Sequence, residues 1–294
     1  MADKKWVLAT GLNMPNGVAF KDGDLYIAEI SKISKIKGVE SKLDNPGKPE
    51  LVFDQYPTDA HHGWKYIAFG PDGKLYVPVG APCNICDNEE KKPVYASITR
   101  INADGTGMEV FAKGVRNSVG FTWHPVTKNI WFTDNGRDML GDDVPPCELN
   151  TATKAGQHFG YPFCHGGTIK DPEFGDKHAC SEFIQPAQNL NAHVAPLGLK
   201  FYTGSMFPAQ YKNQIILAEH GSWNRSKKSG YKLSLVKVDA NSKTTGYETF
   251  ASGWMDDATQ KVWGRPVDVL VLPDGSMLVS DDQAGVVYRI TYKG

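Results

Sequence analysis

The side chains best suited to chemistry in this chain stand in short polar runs, each beside a stretch of β-forming residues. His61 and His62 precede "YIAFGPDGKLYV", Arg116 and Asn117 precede "VGFTWHP", and Asp134, Gly136, Arg137, Asp142 and Asp143 lie in "TDNGRDMLGDD". His193 stands in "NAHVAP", His220, Asn224 and Arg225 share "EHGSWNR", and Arg265 and Asp268 share "WGRPVD". Imidazole titrates near neutrality, so a histidine at such a place can act as a general base. A histidine pair at a strand entrance is also a common hydrogen-bonded structural feature, and Asp and Gly in turns commonly serve backbone geometry. The set gains meaning because the same placement recurs in loop after loop.

That recurrence defines the elements that must position these groups. Segments beginning at Gly17, Tyr66, Val119, Leu197 and Val267 share one plan: a β-rich run, a turn carrying Asp-Gly, Pro-Asp-Gly or an equivalent, and a second β-rich run ending in small and acidic residues. Their starts are 49, 53, 78 and 70 residues apart, and a four-stranded antiparallel propeller blade takes about 40 to 50 residues. Helical periodicity over a dozen residues is absent, while 30 Gly and 18 Pro punctuate the chain. The expected fold is an all-β propeller of four-stranded blades, forming a single domain over 1–294 with five blades visible and a loop-rich insertion around 151–196. In a propeller the loops entering the inner strands converge on one rim, so residues distant in sequence meet there.

The totals narrow the function. A chain of 294 residues with 40% apolar residues can fill a substantial core. Its net charge is −1 and its 32 Lys and Arg form no polybasic block, which argues against nucleic-acid and anionic-lipid partners. No apolar run approaches the roughly 18 residues of a membrane-spanning helix. The N-terminal sequence shows no signal-peptide pattern, as in a cytoplasmic protein or a mature form. Five cysteines favour an oxidising compartment, periplasmic or extracellular, with at least one thiol left unpaired.

Taken together, "GVAFKDGDLYIAE", "HHGWKYIAFGPDGKLYVPVGAPCNIC", "GVRNSVGF", "DNGRDMLGDD" followed by "ELN", "APLGLKFYTG", "HGSWNR" and "GRPVDVLVLPDG" resemble the soluble pyrroloquinoline-quinone (PQQ)-dependent sugar dehydrogenases, in their sorbosone and pyranose dehydrogenase branch. The resemblance runs from about Leu12 to the C-terminus. It implies oxidation of a sugar or sugar aldehyde by hydride transfer to PQQ, with electrons passing on to a separate acceptor, a cytochrome or a quinone pool. The family's catalytic base precedes the aliphatic residue of an "xLxFGPDG" stretch by five positions. Ile67 fills the aliphatic place, so the base maps to His62, with His61 as its neighbour. Arg116 and Asn117 match the family's Arg-Asn pair, Arg265 matches its "RxRDV"-like cofactor stretch, and His193 matches a further cofactor-facing position. These groups suit a quinone bearing three carboxylates. The second arginine of the "RxRDV" stretch is here Val267, so one carboxylate contact is either lost or supplied from elsewhere, with Arg225 and Asn224 of "GSWNR" the candidates. Calcium in the family rests on two consecutive backbone carbonyls, which map to Gly136 and Arg137. The resemblance also implies six blades, one of them preceding "LATGLNMPNGVAF".

Cys83 and Cys86 form a C-x-x-C followed by Asp87 rather than the histidine of a c-type haem site, and no second C-x-x-C supports zinc. A short-range Cys83–Cys86 disulfide is expected, with Cys164–Cys180 a second candidate bracketing the loop-rich stretch. Two other readings stand beside the dehydrogenase: a calcium-dependent lactonase-type propeller hydrolase, and a non-catalytic propeller binding module.

Overall fold

The computed structural model describes residues 4–294. The described residues contain β-strands and three short 3-10 turns but no α-helix, and the strands form five blades. The chain divides into two compact units, Met1–Phe111 and Ala112–Gly294. In the first unit, Val18–Lys21, Asp24–Ala28, Ile33–Ile36 and Glu50–Phe53 make an antiparallel four-stranded blade in chain order. The second blade follows with Ala68–Phe69, Leu75–Val79 and Ser97–Ile101, and its fourth strand, Glu109–Lys113, spans the unit boundary.

The second unit carries the remaining blades. The third consists of Phe121–Trp123, Ile130–Asp134, Pro146–Ala152 and Gln188–Ala192, so residues 153–187 intervene between its third and fourth strands. The fourth runs Pro196–Phe201, Ile215–Glu219, Lys232–Val238 and Thr244–Ala251. The fifth has three strands rather than the four expected, Pro266–Val271, Met277–Asp281 and Val286–Ile290.

Local chemistry explains the repeat. Asp22 and Gly23 both have positive φ, 52° and 85°, which is the backbone that a tight two-residue hairpin demands and that Asp-Gly supplies. At the Pro-Asp-Gly turns, Asp72 accepts the Lys74 N–H at 3.1 Å and Asp274 accepts the Ser276 N–H at 2.9 Å, closing Asx turns. Each second strand of the middle blades, such as Ile130–Asp134 and Ile215–Glu219, is buried along its whole length. It lies between two other strands of its own sheet and is covered on both faces, so it reads as a continuous apolar run.

Each unit has its own core. Tyr26, Ile33, Ile67, Leu75, Val77 and Ile101 cluster in the first. In the second, Trp131, Leu199, Phe201 and Leu217 join the third and fourth blades, and Ile216, Leu233, Val269 and Val279 join the fourth and fifth. The first strands of these blades approach so closely that a Cβ on Gly120 would sit 2.3 Å from the Leu197 carbonyl oxygen. One on Gly198 would sit 2.0 Å from the Asp268 carboxylate. Glycine is the residue that permits that approach.

Candidate functional site

A repeated device aims the polar loops. The acidic residue ending a blade's second strand accepts the backbone N–H groups of the segment entering the first strand. Glu29 takes the Asn13 N–H at 2.5 Å. Asp134 takes those of Arg116 at 2.9 Å and Asn117 at 2.7 Å. Asp281 takes that of Arg265 at 2.9 Å. A buried carboxylate that accepts backbone donors fixes a loop at little cost in unsatisfied polarity. These acids were visible in the sequence only as the acidic ends of the second runs, and their partners stand far from them in the chain.

In the second unit the pinned side chains gather on loop 135–143. Arg116, 4% exposed, donates from one terminal nitrogen to the Asn135 carbonyl at 3.1 Å and from the other to Asp138 at 3.3 Å. His193, held at φ 61°, has Nε2 2.8 Å from the Gly141 carbonyl oxygen and Nδ1 4.0 Å from Asp138. Arg225 reaches the same loop from the fourth blade, donating to the Asp142 carbonyl at 3.0 Å and the Asp143 carboxylate at 2.6 Å. The Ser226 N–H caps Asp142 at 2.9 Å, and with Arg225 it holds that carboxyl below its ordinary range. Asn224, beside Arg225, is half-buried. The Asn117 side-chain amide makes no hydrogen bond among the described residues, since its loop is held through its backbone.

Arg265 stands on the fifth-blade side. It donates to the carbonyls of His220 at 3.0 Å and Gly221 at 2.7 Å, with its guanidinium 5.6 Å from the Tyr231 ring centroid. His220 meets Asp282 at 2.9 Å, and burial lowers its imidazole pKa despite that carboxylate. Arg116, His193 and Arg225 are thus brought onto one loop, and Arg265 braces the turn from which "GSWNR" departs.

Gly136 and Arg137 lie within the same loop. A Cβ on Gly136 would sit 2.9 Å from the Pro146 carbonyl oxygen. The carbonyl oxygens of both residues accept no hydrogen bond among the described residues. The Arg137 side chain turns inward, donating to Asp171 at 2.5 Å, and Asp171 also meets His165 at 2.9 Å. Burial favours the neutral acid, but His165 and Arg137 together hold Asp171 below the usual carboxylate range. Behind Arg116 a second buried acid, Glu148, faces Asp134 across the paired strands. Burial and then the Glu148 charge push Asp134 up to about 8, and burial raises Glu148. Two adjacent buried carboxyls of this kind retain a proton near neutrality. Among the described residues no group of three or more His, Cys, Asp or Glu side chains is arranged to hold a metal.

The histidine pair belongs to the first unit, in the loop between its blades. The two rings lie against each other with centroids 4.0 Å apart and planes tilted by 50°, His61 exposed and His62 half-buried. His62 Nδ1 lies 2.8 Å from the Ala81 carbonyl oxygen. A carbonyl can only accept, so Nδ1 carries the hydrogen and the neutral ring presents its lone pair at Nε2. Three residues on, Lys65 is 2% exposed and donates to the Gly63 carbonyl at 2.9 Å. Burial brings its pKa down to about 8. Nothing in the short run "GWKYIAF" signals that this lysine faces inward. The expected disulfides are both formed, Cys83–Cys86 and Cys164–Cys180, and Cys147 is buried and free.

The comparisons with known proteins bear on this arrangement. The TrAA12-like family matches residues 95–293. An uncharacterized protein of Borreliella burgdorferi is 37% identical over 302 residues, covering 99% of this chain and 79% of that protein. The PQQ-dependent pyranose dehydrogenase of Coprinopsis cinerea is 28% identical over 135 residues, 40% of this chain but 18% of that protein. Among solved structures, the calcium structure of a Trichoderma reesei carbohydrate-active enzyme of family AA12 superposes with a TM-score of 0.77 at 20% identity, covering 93% of this chain and 79% of that one. The holo PQQ domain of the Coprinopsis cinerea pyranose dehydrogenase gives 0.72 at 17% identity, covering 97% and 94%. At these identities the structural likeness establishes the fold.

Proposed function

We propose, from the premise that this chain belongs to the TrAA12-like family of soluble PQQ-dependent sugar dehydrogenases, that it oxidises a sugar or sugar aldehyde of the aldose or sorbosone type with PQQ and calcium. The observation that carries the reading is the gathering of Arg116, His193 and Arg225 on loop 135–143, where the Gly136 and Arg137 carbonyls accept no hydrogen bond among the described residues. Those donors suit a planar group with several carboxylates. Arg225 and Arg265 each keep guanidinium N–H groups beyond those used on the protein, and the Asn117 amide is available. Two adjacent carbonyls lacking donors suit a hard divalent cation. When bound, PQQ supplies the acceptor for the hydride that leaves the sugar carbon.

The chain's own residues supply the rest of the chemistry. His62, its Nδ1–H engaged by Ala81, takes the hydroxyl proton of the sugar at Nε2. His61 packs at a tilt against that ring and orients it. Arg116, Asn117, His193, Asn224, Arg225 and Arg265 would hold the cofactor, and the guanidinium groups among them, already fixed in place, would supply positive charge to it without reorganisation. The two disulfides support a periplasmic or extracellular location, and electrons leave to a separate acceptor, a cytochrome or quinone pool.

The lactonase and binding-module readings are not favoured by this family membership. The test is calorimetric titration of the protein with PQQ in calcium, followed by dye reduction with a panel of aldoses and sorbosone. Quinone-dependent turnover supports the reading. Calcium-dependent ester or lactone cleavage without quinone would overturn it.

A further inference from the structure

His62 is gripped through its ring and through its loop, and both grips come from one irregular segment. The ring grip is the Ala81 carbonyl, 2.8 Å from Nδ1. The loop grip is Tyr95, whose hydroxyl donates to Asp59, three residues before His62. Ala81 is 1% and Tyr95 8% exposed. Both belong to segment 80–96, which connects strand Leu75–Val79 to Ser97–Ile101 without regular structure. A connection of that length is ordinarily mobile unless something closes it. Here the Cys83–Cys86 disulfide closes a short ring within it, residues 83–86, beginning two residues after Ala81. The Asn88 amide donates to the Cys86 sulfur at 3.0 Å, Lys92 N–H to the Asn88 carbonyl at 2.8 Å, and Tyr95 N–H to the Lys92 carbonyl at 3.1 Å. Contacts therefore run along the segment from the disulfide to Tyr95. On the His62 side, Gly63 N–H bonds the Ala60 carbonyl at 3.0 Å, and His62 itself holds a left-handed φ of 51°, a backbone that persists only when its surroundings enforce it.

We propose that Cys83, Cys86, Tyr95 and Asp59 are positioning residues that hold His62 in its Nδ1–H tautomer, and that a dithiol reductant releases this hold by opening the Cys83–Cys86 bond. In the exchange the dithiol is oxidised to its own disulfide. Two electrons and two protons pass to Cys83 and Cys86, which become thiols, and no other group changes oxidation state. Both cysteines are half-buried, so a small dithiol reaches them. Freed of the closure, segment 80–96 gains conformations, the Ala81 carbonyl loses its fixed position, and His62 samples both tautomers and other ring orientations. The catalytic consequence rests on the reading of His62 as the base; the tautomer itself does not.

The experiment is histidine-selective 15N NMR on the protein without added cofactor, with the His62 signal assigned by its loss in His62→Gln. It is recorded on the oxidised wild type, on the same folded sample after dithiothreitol, on Cys83→Ser/Cys86→Ser, which leaves Cys164–Cys180 intact, and on Tyr95→Phe, which keeps both disulfides. The oxidised protein should show a pure Nδ1–H pattern. The reduced protein and the double variant should show averaged ring nitrogens, restored in the wild type by reoxidation. Turnover should then fall roughly three- to tenfold with KM unchanged, the equivalent of one hydrogen bond. An unchanged Nδ1–H pattern after reduction and in the double variant overturns the proposal. His62→Ala that keeps full turnover would sink the base assignment alone, since the tautomer reading still decides the clasp.

Discussion

Replacing Glu148 with Gln tests how the loop carrying Arg116 and Asn117 is secured. Asp134 and Glu148 face each other, buried, and all four oxygens accept N–H groups: Arg116 and Asn117 on Asp134, Gly166 at 2.7 Å and Asn150 at 2.9 Å on Glu148. Burial first and Glu148 second raise Asp134 from 3.8 to about 8. A carboxyl whose folded value exceeds its unfolded one binds more protons when folded. Its contribution is fully present below the unfolded value and is lost as pH rises through the folded one. Between roughly pH 5 and 7 the folded pair holds one proton that the unfolded chain has released, so stability should fall by about 1.4 kcal/mol per pH unit from this source. Glu148→Gln removes the neighbouring charge in a side chain of the same shape: the Gln carbonyl can keep the Gly166 N–H, and the Asn150 side-chain amide oxygen, buried and unpartnered, can turn to accept the new amide N–H. Urea unfolding at pH 5, 6 and 7 should show a shallower slope in the variant, the difference greatest towards pH 7, because burial alone still raises Asp134 and only the smaller Glu148 contribution is lost. Parallel slopes in the two proteins would refute the contribution of the Glu148 charge.

Other outcomes follow from the same structure. Lys65 runs in the opposite direction: its folded value is depressed to about 8 from 10.5, so wild-type stability should rise between those pH values, and Lys65→Met should abolish that rise in thermal melts. Cys147 is buried and its thiol pushed up to about 11; a disulfide-exchange reagent should titrate no thiol in the native protein and one after unfolding. Gly198→Ala drives a methyl onto the Asp268 carboxylate and should cost at least about 1–3 kcal/mol in denaturant unfolding; a neutral result would refute the tight strand approach. Arg225→Ala removes contacts to Asp142 and Asp143 across the loop and should weaken PQQ binding at least fivefold in calorimetry while shifting the melting temperature by no more than about 2 °C, because its carboxylate partner Asp143 is exposed.

The blades were legible because each depends on local signals. Asp22-Gly23 and the two Pro-Asp-Gly turns supply backbone geometry that few other residues offer, and the runs between them are too short for helices. The end of the third blade was hidden, since its fourth strand, Gln188–Ala192, returns only after residues 153–187 have intervened. The three-stranded fifth blade was equally hidden, because pairing partners are not written in the strand itself. At the candidate site, residue types marked out the polar loops, but what each arginine touches is a long-range matter. Asp138 and Asp143 read as turn formers, yet they are the carboxylates that receive Arg116 and Arg225. Arg137 was marked for its carbonyl, and its side chain proves to be buried against Asp171. Lys65 left no signal, because a lysine is ordinarily solvated.

The most direct test of the central claim is PQQ-dependent sugar oxidation by wild type and His62→Ala, with quinone affinity measured on the same samples in calcium. The account predicts tight quinone binding in both proteins and a loss of turnover in the variant of roughly a hundredfold or more, the scale of a general base. Equal turnover in the two, or no quinone binding by the wild type, would contradict it.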